Sequence, residues 1–244
     1  MTIAQMNQLW IMRGYDNQAT PSDGTNAMMI RDKGGIMQFA ITEHRSGALM
    51  AEYDPSINRL WREIESCIHS VHDEDIIREF EDGTRSAKSI SEAINKLLDI
   101  EFVERGWSPQ SPIFADNTAL ETGKKGRWRL DFAKDDISVE VAFNHSGSIA
   151  WNLIKPTLAG ELNHVTKAIQ TKLGILITAT EELKLAGGFD NAIGSYEDYV
   201  QYLTALRPIL TVPLVIVGLR SPTTFRIEVE QITPNKKVGK VVPL

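Results

Sequence analysis

The chain has 244 residues, of which 42% are hydrophobic and 24% charged, and its formal net charge is −6. These values are typical of one globular domain, or one domain with an added arm. No apolar run approaches the ~18 residues of a membrane span, the first residues lack a signal-peptide pattern, and the single Cys67 excludes an intrachain disulfide, so we expect a cytoplasmic protein with no membrane partner.

The first part of the chain predicts an arm and then a hairpin. Residues 1–35 form an N-terminal extension, in which Trp10 and Met28 flank a turn-rich stretch, so we expect a packed arm and not a disordered tail. Residues 36–53 alternate enough for a β-hairpin. Its apolar residues are Phe39 and Ile41 on one strand and Leu49, Ala51 and Tyr53 on the other.

Two helices and a loop should follow. Asp54-Pro55-Ser56 is typical of a helix start, and the apolar face of that helix contains Leu60, Trp61, Ile64 and Ile68, with Cys67 buried beside them. Ser89 and Glu92 have the spacing of a capping box for a helix that runs towards Trp107. Pro109 and Pro112 then predict a loop.

Residues 126–143, GRWRLDFAKDDISVEVAF, predict a β-hairpin with a turn at 134–136. Because side chains alternate along a strand, one face of the second strand should carry Ile137, Val139, Val141 and Phe143, and the other Ser138, Glu140, Ala142 and Asn144. In the first strand, Trp128, Leu130 and Phe132 should lie opposite Arg127, Arg129 and Asp131.

The remaining elements complete an α/β fold, a mixed central sheet flanked by helices. We predict a helix from Gly147 to Ala168 kinked at Pro156, a buried strand at 173–179, a turn at Gly187-Gly188, a helix at 195–206 and a strand at 212–219. The main domain should span 36–220. Residues 221–244 should hold a strand and a basic tail with Lys236, Lys237 and Lys240.

Asp131 and Glu140 are the candidate catalytic pair. A hairpin sets them side by side, and Mg²⁺ usually binds one or two carboxylates together with water and substrate phosphate. Such an ion would polarise a phosphoryl oxygen and activate water. The alternative is an acidic pair on a solvated sheet face, which spacing alone favours.

A carboxylate followed by a hairpin and a second carboxylate resembles the PD-(D/E)XK nuclease core, and the match is closest to the BglII/BstYI type II restriction endonucleases. The likeness extends to INKLLDIEFVERGW before the hairpin and to SGSIAWNLIK, LGILITATEEL, GSYEDYVQYL and VPLVIVGL after it, in the family's order. HRSGALMAEYDPSINRLWREIESCI resembles the family's first hairpin and helix. The likeness covers roughly residues 36–220, the usual size of a domain.

The resemblance implies a Mg²⁺-dependent restriction endonuclease that cuts double-stranded DNA as a homodimer. A two-fold dimer matches a short palindrome because equal half-sites meet equal surfaces. A site centred on GATC is the first candidate by resemblance. In this scheme Asp131 and Glu140 bind the metal.

One position departs from the family pattern. The third motif position, two residues after Glu140, is Lys in the superfamily and Gln or Glu in the nearest relatives, whereas this chain has Ala142. Another residue takes the role, or the protein is inactive, or Ala142 is an engineered replacement. Asn144 and Glu101 are candidate substitutes, although ordinary surface polarity also explains both.

Two groups are candidates for DNA contacts. Lys124, Lys125, Arg127 and Arg129 precede the hairpin and would neutralise phosphates, despite the negative net charge. Asn144, His145 and Ser146 follow it, where Asn pairs with adenine and Ser with several bases, or where they form a plain loop. Two other functions stay open: an inactive DNA-binding protein with the nuclease fold, and a nuclease for modified DNA.

Overall fold

The structure, a computed structural model, describes residues 35–82, 87–114, 128–161, 169–234 and 236–244. Within these ranges the chain forms seven α-helices and eight strands. The helices are α1 Gly47–Tyr53, α2 Pro55–His69, α3 Asp73–Asp82, α4 Ser91–Glu104, α5 Ile149–Glu161, α6 Glu181–Ala186 and α7 Tyr196–Leu206. The strands are β1 Phe39–His44, β2 Ser108–Pro112, β3 Arg129–Lys134, β4 Ile137–Val141, β5 Leu173–Ala179, β6 Leu214–Leu219, β7 Phe225–Thr233 and β8 Lys236–Pro243.

Six strands form one mixed sheet in the order β1-β6-β5-β4-β3-β2. The central strands β4, β5 and β6 run parallel, whereas β1, β2 and β3 pair antiparallel with their neighbours. Every residue of β5 and β6 is buried, as expected for central strands covered on both faces. The predicted α/β fold with a mixed central sheet is therefore confirmed.

Helices pack on both faces of this sheet. Ile175 and Ile177 of β5 belong to the main hydrophobic cluster, together with residues of α2 and α4 such as Trp61 and Phe102. Leu176, between them in the strand, belongs to a second cluster with residues of α5 and α7. This alternation places α5 on the same sheet face as Leu176.

The helix at Asp54 forms as predicted. The Asp54 carboxylate accepts hydrogen bonds from the N–H groups of Ser56 and Ile57, and Pro55 occupies the first helical position, where its missing N–H costs nothing. The predicted apolar face of α2 is buried, and Cys67 is a buried free thiol whose pKa burial raises to about 12.

The predicted hairpin at 36–53 is wrong in its second half, which is helix α1. Arg45 and Ser46 turn the chain with φ angles of 50° and 57°, and β1 pairs with β6 instead of with residues 47–53. A β-carbon at Gly47 would lie 2.4 Å from the carbonyl oxygen of Leu214, so the helix begins directly against the sheet. Only glycine allows that approach.

Two further predictions are wrong. The stretch with Pro109 and Pro112 is not a loop but the edge strand β2, a place where the missing N–H of proline is tolerated. Helix α4 begins at Ser91 with Ile90 as its N-cap and has no side-chain cap. The Ser89 hydroxyl lies 2.9 Å from that of Ser91, so the predicted capping box does not form.

The C-terminal segment is a two-stranded ribbon, β7 and β8, rather than a strand and a tail, and its three lysines lie on β8. The helix predicted from Gly147 begins at Ile149 after a single 3₁₀ turn. Its predicted end at 162–168 and the predicted arm lie outside the described residues. In the part of the chain that the structure describes, no helix is long and apolar enough to cross a membrane.

Close contact at Gly174 holds α5 against the sheet. A β-carbon there would lie 2.5 Å from Cβ of Pro156. We expect Gly174→Ala to lower the free energy of unfolding by about 1–3 kcal/mol, because overpacking forces neighbours apart. Urea denaturation measures the change. A loss below about 0.5 kcal/mol, typical of surface changes, would mean that α5 can shift away from the sheet at little cost in free energy.

Candidate active site

The hairpin of β3 and β4 brings Asp131 and Glu140 together. The strands pair Lys134 with Ile137, Ala133 with Ser138 and Phe132 with Val139, around a turn at Asp135 with φ 47°. The same register, continued by one residue, sets Asp131 opposite Glu140. There the Asp131 carboxylate accepts a hydrogen bond from the Val141 N–H at 2.9 Å.

The predicted faces hold for β4 but not fully for β3. Ile137 and Val139 lie in the main cluster, where Phe132 stacks on Phe102 with ring centroids 4.7 Å apart. Leu130 instead belongs to a small separate cluster with Ile113, Ala133 and Ala159. The predicted grouping of Trp128, Leu130 and Phe132 is therefore wrong, because Leu130 and Phe132 lie in different clusters, while Trp128 packs against Trp151 of α5.

Glu140 is buried and does not lie on a solvated face. Only 1% of the residue is exposed, and its strand lies between β3 and β5. The desolvation free energy of a buried, ionised carboxylate without a charged partner is much larger than the stabilisation that a hydrogen bond normally provides. The solvated-face alternative from the sequence is therefore wrong for Glu140.

Helix α5 provides a cationic partner for this carboxylate. The Lys155 ammonium donates a hydrogen bond to Glu140 Oε2, and the two side chains are 12% and 2% exposed. The other oxygen, Glu140 Oε1, is buried and has no hydrogen-bond donor within the described residues. Besides Lys155, the carboxylate interacts with the backbone N–H of Asp131, which also lowers its pKa.

Both carboxyl groups hold their protons more tightly than free acids do. Burial raises the pKa of Glu140 to about 8, with a further increase from the nearby charge of Asp131, whereas Lys155 lowers it. Burial also raises the pKa of Asp131. Three interactions lower it in part: the hydrogen bond from the Val141 N–H, the charge of Lys155 and a hydrogen bond from the Gln110 side chain. Without a cation, the pair therefore disfavours ionisation of both carboxyl groups at once.

These features fit a divalent cation. Two neighbouring carboxylates, one with an orphaned buried oxygen, are hard oxygen ligands whose repulsion a cation would relieve. Within the described ranges no group of three or more His, Cys, Asp or Glu side chains gathers at one place. Water and substrate oxygens would therefore complete the coordination.

The side chain of Ala142 is not at an open site. It is 2% exposed and packs in the second cluster with Ile149 and Leu153 of α5. Glu101, the other proposed substitute, forms an ion pair with Arg105, which also donates to Ser66 of α2 and to Ser70 directly after that helix. The ion pair of Glu101 thus lies with Arg105 and not with the carboxylate pair.

Asn144 and His145 are exposed beyond the end of β4. The backbone of this loop is anchored, because the Asn144 carbonyl accepts from Gly194 and the Ser146 N–H donates to Ala192. The Asn144 side-chain oxygen accepts from Asn152 at 3.2 Å. Ser146 is partly buried and opens the 3₁₀ turn before α5.

The basic group before the hairpin is only partly described. Lys124, Lys125 and Arg127 lie outside the described residues. The Arg129 guanidinium donates to the Gln110 carbonyl at 2.6 Å, across the edge strand.

The sequence analysis missed Lys155, and it missed Gln110 and the buried pair of Asn152 and Tyr199. Asn152 donates to the Tyr199 hydroxyl at 2.7 Å, and burial raises the Tyr199 pKa, with the charges of Glu140 and Asp131 acting in the same direction. A signal for Lys155 was present, since it is the only charged residue in IAWNLIKPTLAG, 149–160. Nothing in the sequence indicates Gln110, which has a left-handed φ of 49°.

Comparison with known proteins identifies the family and the fold of the chain. The family model "Restriction endonuclease BglII/BglIII" matches residues 39–219, which confirms the resemblance found from the sequence. The crystal structure of BglII complexed with a DNA 16-mer is similar with a TM-score of 0.55 and 21% identity, over 85% of this chain and 100% of that one. Free BglII gives a TM-score of 0.46 and 17% identity over the same shares. No curated protein matches the sequence.

The raised pKa of Glu140 makes the stability of the metal-free protein depend on pH. The native state favours the protonated carboxyl, so this contribution is full below the ordinary value of 4.5 and is lost as pH rises through about 8. We expect the free energy of unfolding to fall over this range by on the order of 1 kcal/mol or more, since one pKa unit is worth about 1.4 kcal/mol.

Urea denaturation in EDTA at several pH values measures this fall. Glu140→Gln is the matched control, because it cannot titrate and removes this part of the pH dependence. Equal pH profiles for the two proteins would contradict the assigned pKa.

Proposed function

Because the chain belongs to the BglII/BglIII restriction endonuclease family, and is by that class a type II site-specific deoxyribonuclease, we propose that it cuts double-stranded DNA with Mg²⁺ at Asp131 and Glu140. The observation that carries this assignment is the buried Glu140 carboxylate beside Asp131, with one oxygen left without a donor. A stability role does not explain that arrangement, because an unpaired buried oxygen costs about 1–3 kcal/mol.

The described residues have distinct tasks in this proposal. A bound divalent ion supplies Lewis-acid polarisation of the phosphoryl oxygen and a lowered pKa for water. Asp131 and Glu140 hold that ion, and the Val141 N–H fixes the orientation of Asp131. Because β4 is paired on both sides, Glu140 is held by the sheet itself, which favours the rigid placement that catalysis needs.

The substrate is a short palindromic duplex bound by a homodimer. The similar BglII structure contains a DNA 16-mer, which supports a DNA duplex as the partner of this chain. A two-fold dimer presents one active site to each strand of a palindrome. A GATC-centred sequence is the first site to test, in unmethylated and methylated form, since a nuclease for modified DNA is the nearest variant of this function.

The loop after β4 is our candidate for base contacts, and Lys124, Lys125, Arg127 and Arg129 for contacts with backbone phosphate. Asn144 and His145 are exposed while their backbone is fixed, which suits direct readout. The Asn144 amide nitrogen can donate to an adenine edge, and its oxygen, which accepts one hydrogen bond from Asn152, has a second lone pair to accept from the same base.

Ala142 supports a second candidate, a DNA-binding protein that keeps the nuclease fold without cutting. A methyl group neither holds water nor balances charge at the third motif position. This protein would bind the duplex and leave it intact in Mg²⁺.

Cleavage of plasmid DNA tests the proposal. We expect discrete fragments in Mg²⁺, none in EDTA, and a loss of at least about 100-fold in rate for Asp131→Asn and for Glu140→Gln, because each removes a charged ligand. Asp136→Asn is the matched control, since Asp136 lies in the same hairpin but pairs with Lys172 at 2.8 Å. Binding without fragments in any metal would instead support the non-cutting protein.

The role of Asn144 is tested with the duplex that the plasmid experiment identifies. We expect Asn144→Ala to weaken binding to that site by roughly 5- to 100-fold, the worth of one bidentate base contact of about 1–3 kcal/mol, and to leave random DNA unaffected. Fluorescence anisotropy measures both affinities. An equal loss on both duplexes would make Asn144 a backbone contact.

A further inference from the structure

Lys155 brings a positive charge to the place where the family motif lacks one. Its ammonium donates a hydrogen bond to Glu140 Oε2, and its positive charge also lowers the pKa of Asp131. This charge comes from a different element than in the family motif, because Lys155 lies on α5, whereas the third motif position follows Glu140 of β4.

Position 142 is packed in the protein interior. The Ala142 methyl lies in one buried apolar cluster with Ile149 and Leu153 of α5 and Leu176 of β5. A lysine or glutamine at 142 would bring a long polar side chain into that cluster, where an unpaired polar group is costly to bury. Lys155 lies further along the same helix, and its ammonium reaches Glu140 from there.

We propose that Lys155 replaces the missing third motif side chain, with its ammonium facing the scissile phosphate and stabilising the charge that develops on the phosphoryl oxygens during attack by water. The inference rests on the proposed function, because it requires a DNA phosphate at Asp131 and Glu140. An ammonium is a compact charge with three donors, and in a water-poor site such a charge acts more strongly than in solution.

The reaction needs no proton from Lys155. The water oxygen forms a bond to phosphorus and one P–O ester bond breaks, giving a phosphate monoester and a free hydroxyl. Of the two protons of water, one is released to solvent and the other stays on the new P–OH group, while the leaving oxygen takes a proton from solvent. In this proposal Lys155 supplies charge alone.

Three variants test this role. Lys155→Met removes the charge, Lys155→Arg keeps it, and Lys134→Met is the matched control, since Lys134 forms a comparable ion pair with Glu63, at 21% and 24% exposure. Single-turnover cleavage at saturating protein and Mg²⁺ gives the chemical rate, anisotropy in EDTA gives DNA affinity, and thermal unfolding gives stability.

We expect Lys155→Met to lose about 100- to 1000-fold in chemical rate, the usual effect of losing one transition-state donor, while its DNA affinity stays within about 3-fold. Lys155→Arg should retain clearly more activity than Lys155→Met. Lys134→Met should change stability only. If Lys155→Met does not fold, Lys155→Gln against Lys155→Arg makes the same comparison.

Other outcomes overturn the inference. A Lys155→Met rate within about 3-fold of the unmodified protein does so. So does full recovery of that variant at about pH 9 or in excess Mg²⁺, since Lys155 would then act only by adjusting the charge of Glu140. If Asp131→Asn abolishes cutting and Lys155→Met does not, the role of Lys155 is refuted and the proposed function stands. If the unmodified protein does not cut DNA, the proposed function is refuted as well.

Discussion

The burial of the Glu140 carboxylate is the constraint on which the rest of the site depends. It lies in a strand with neighbours on both sides and under a helix, where an acid has an electrostatic cost that ordinary packing does not recover. Asp131 adds to that cost, and Lys155 offsets part of it. In the folded protein the two carboxyl groups therefore favour their protonated forms, and a bound divalent ion would offset the cost of ionising both of them.

The fold supports this charge by fixing it from several directions. Glu140 pairs in register with Leu176 of β5, and the Val141 N–H that follows it holds Asp131. Neither carboxylate is on a free loop. The groups proposed for base contacts lie where β4 ends, so one strand links the reactive pair to the exposed Asn144 and His145.

Sequence periodicity predicted the elements correctly where the local pattern and the tertiary environment favour the same structure. The buried strands β5 and β6, the helix capped by Asp54 and the hairpin of Asp131 and Glu140 all follow from apolar patterns and turn chemistry. It failed where contacts between residues far apart in the sequence determine the structure. Gly47 starts a helix because the Leu214 backbone lies against it, and the proline stretch pairs because β3 offers an edge. Lys155 was missed for the same reason, since helix spacing cannot show which strand a helix covers.

The position of Lys155 makes the site depend on how α5 rests on the sheet. The strand would fix the position of a side chain on β4. The position of Lys155 depends instead on two contacts of α5, that of Pro156 with Gly174 and that of Leu153 with the cluster that contains Ala142. Gly174 lets the helix approach closely, and a larger residue there would move the ammonium with the helix. In the role proposed for Lys155, the charge that position 142 does not carry comes from the helix that shares a cluster with Ala142.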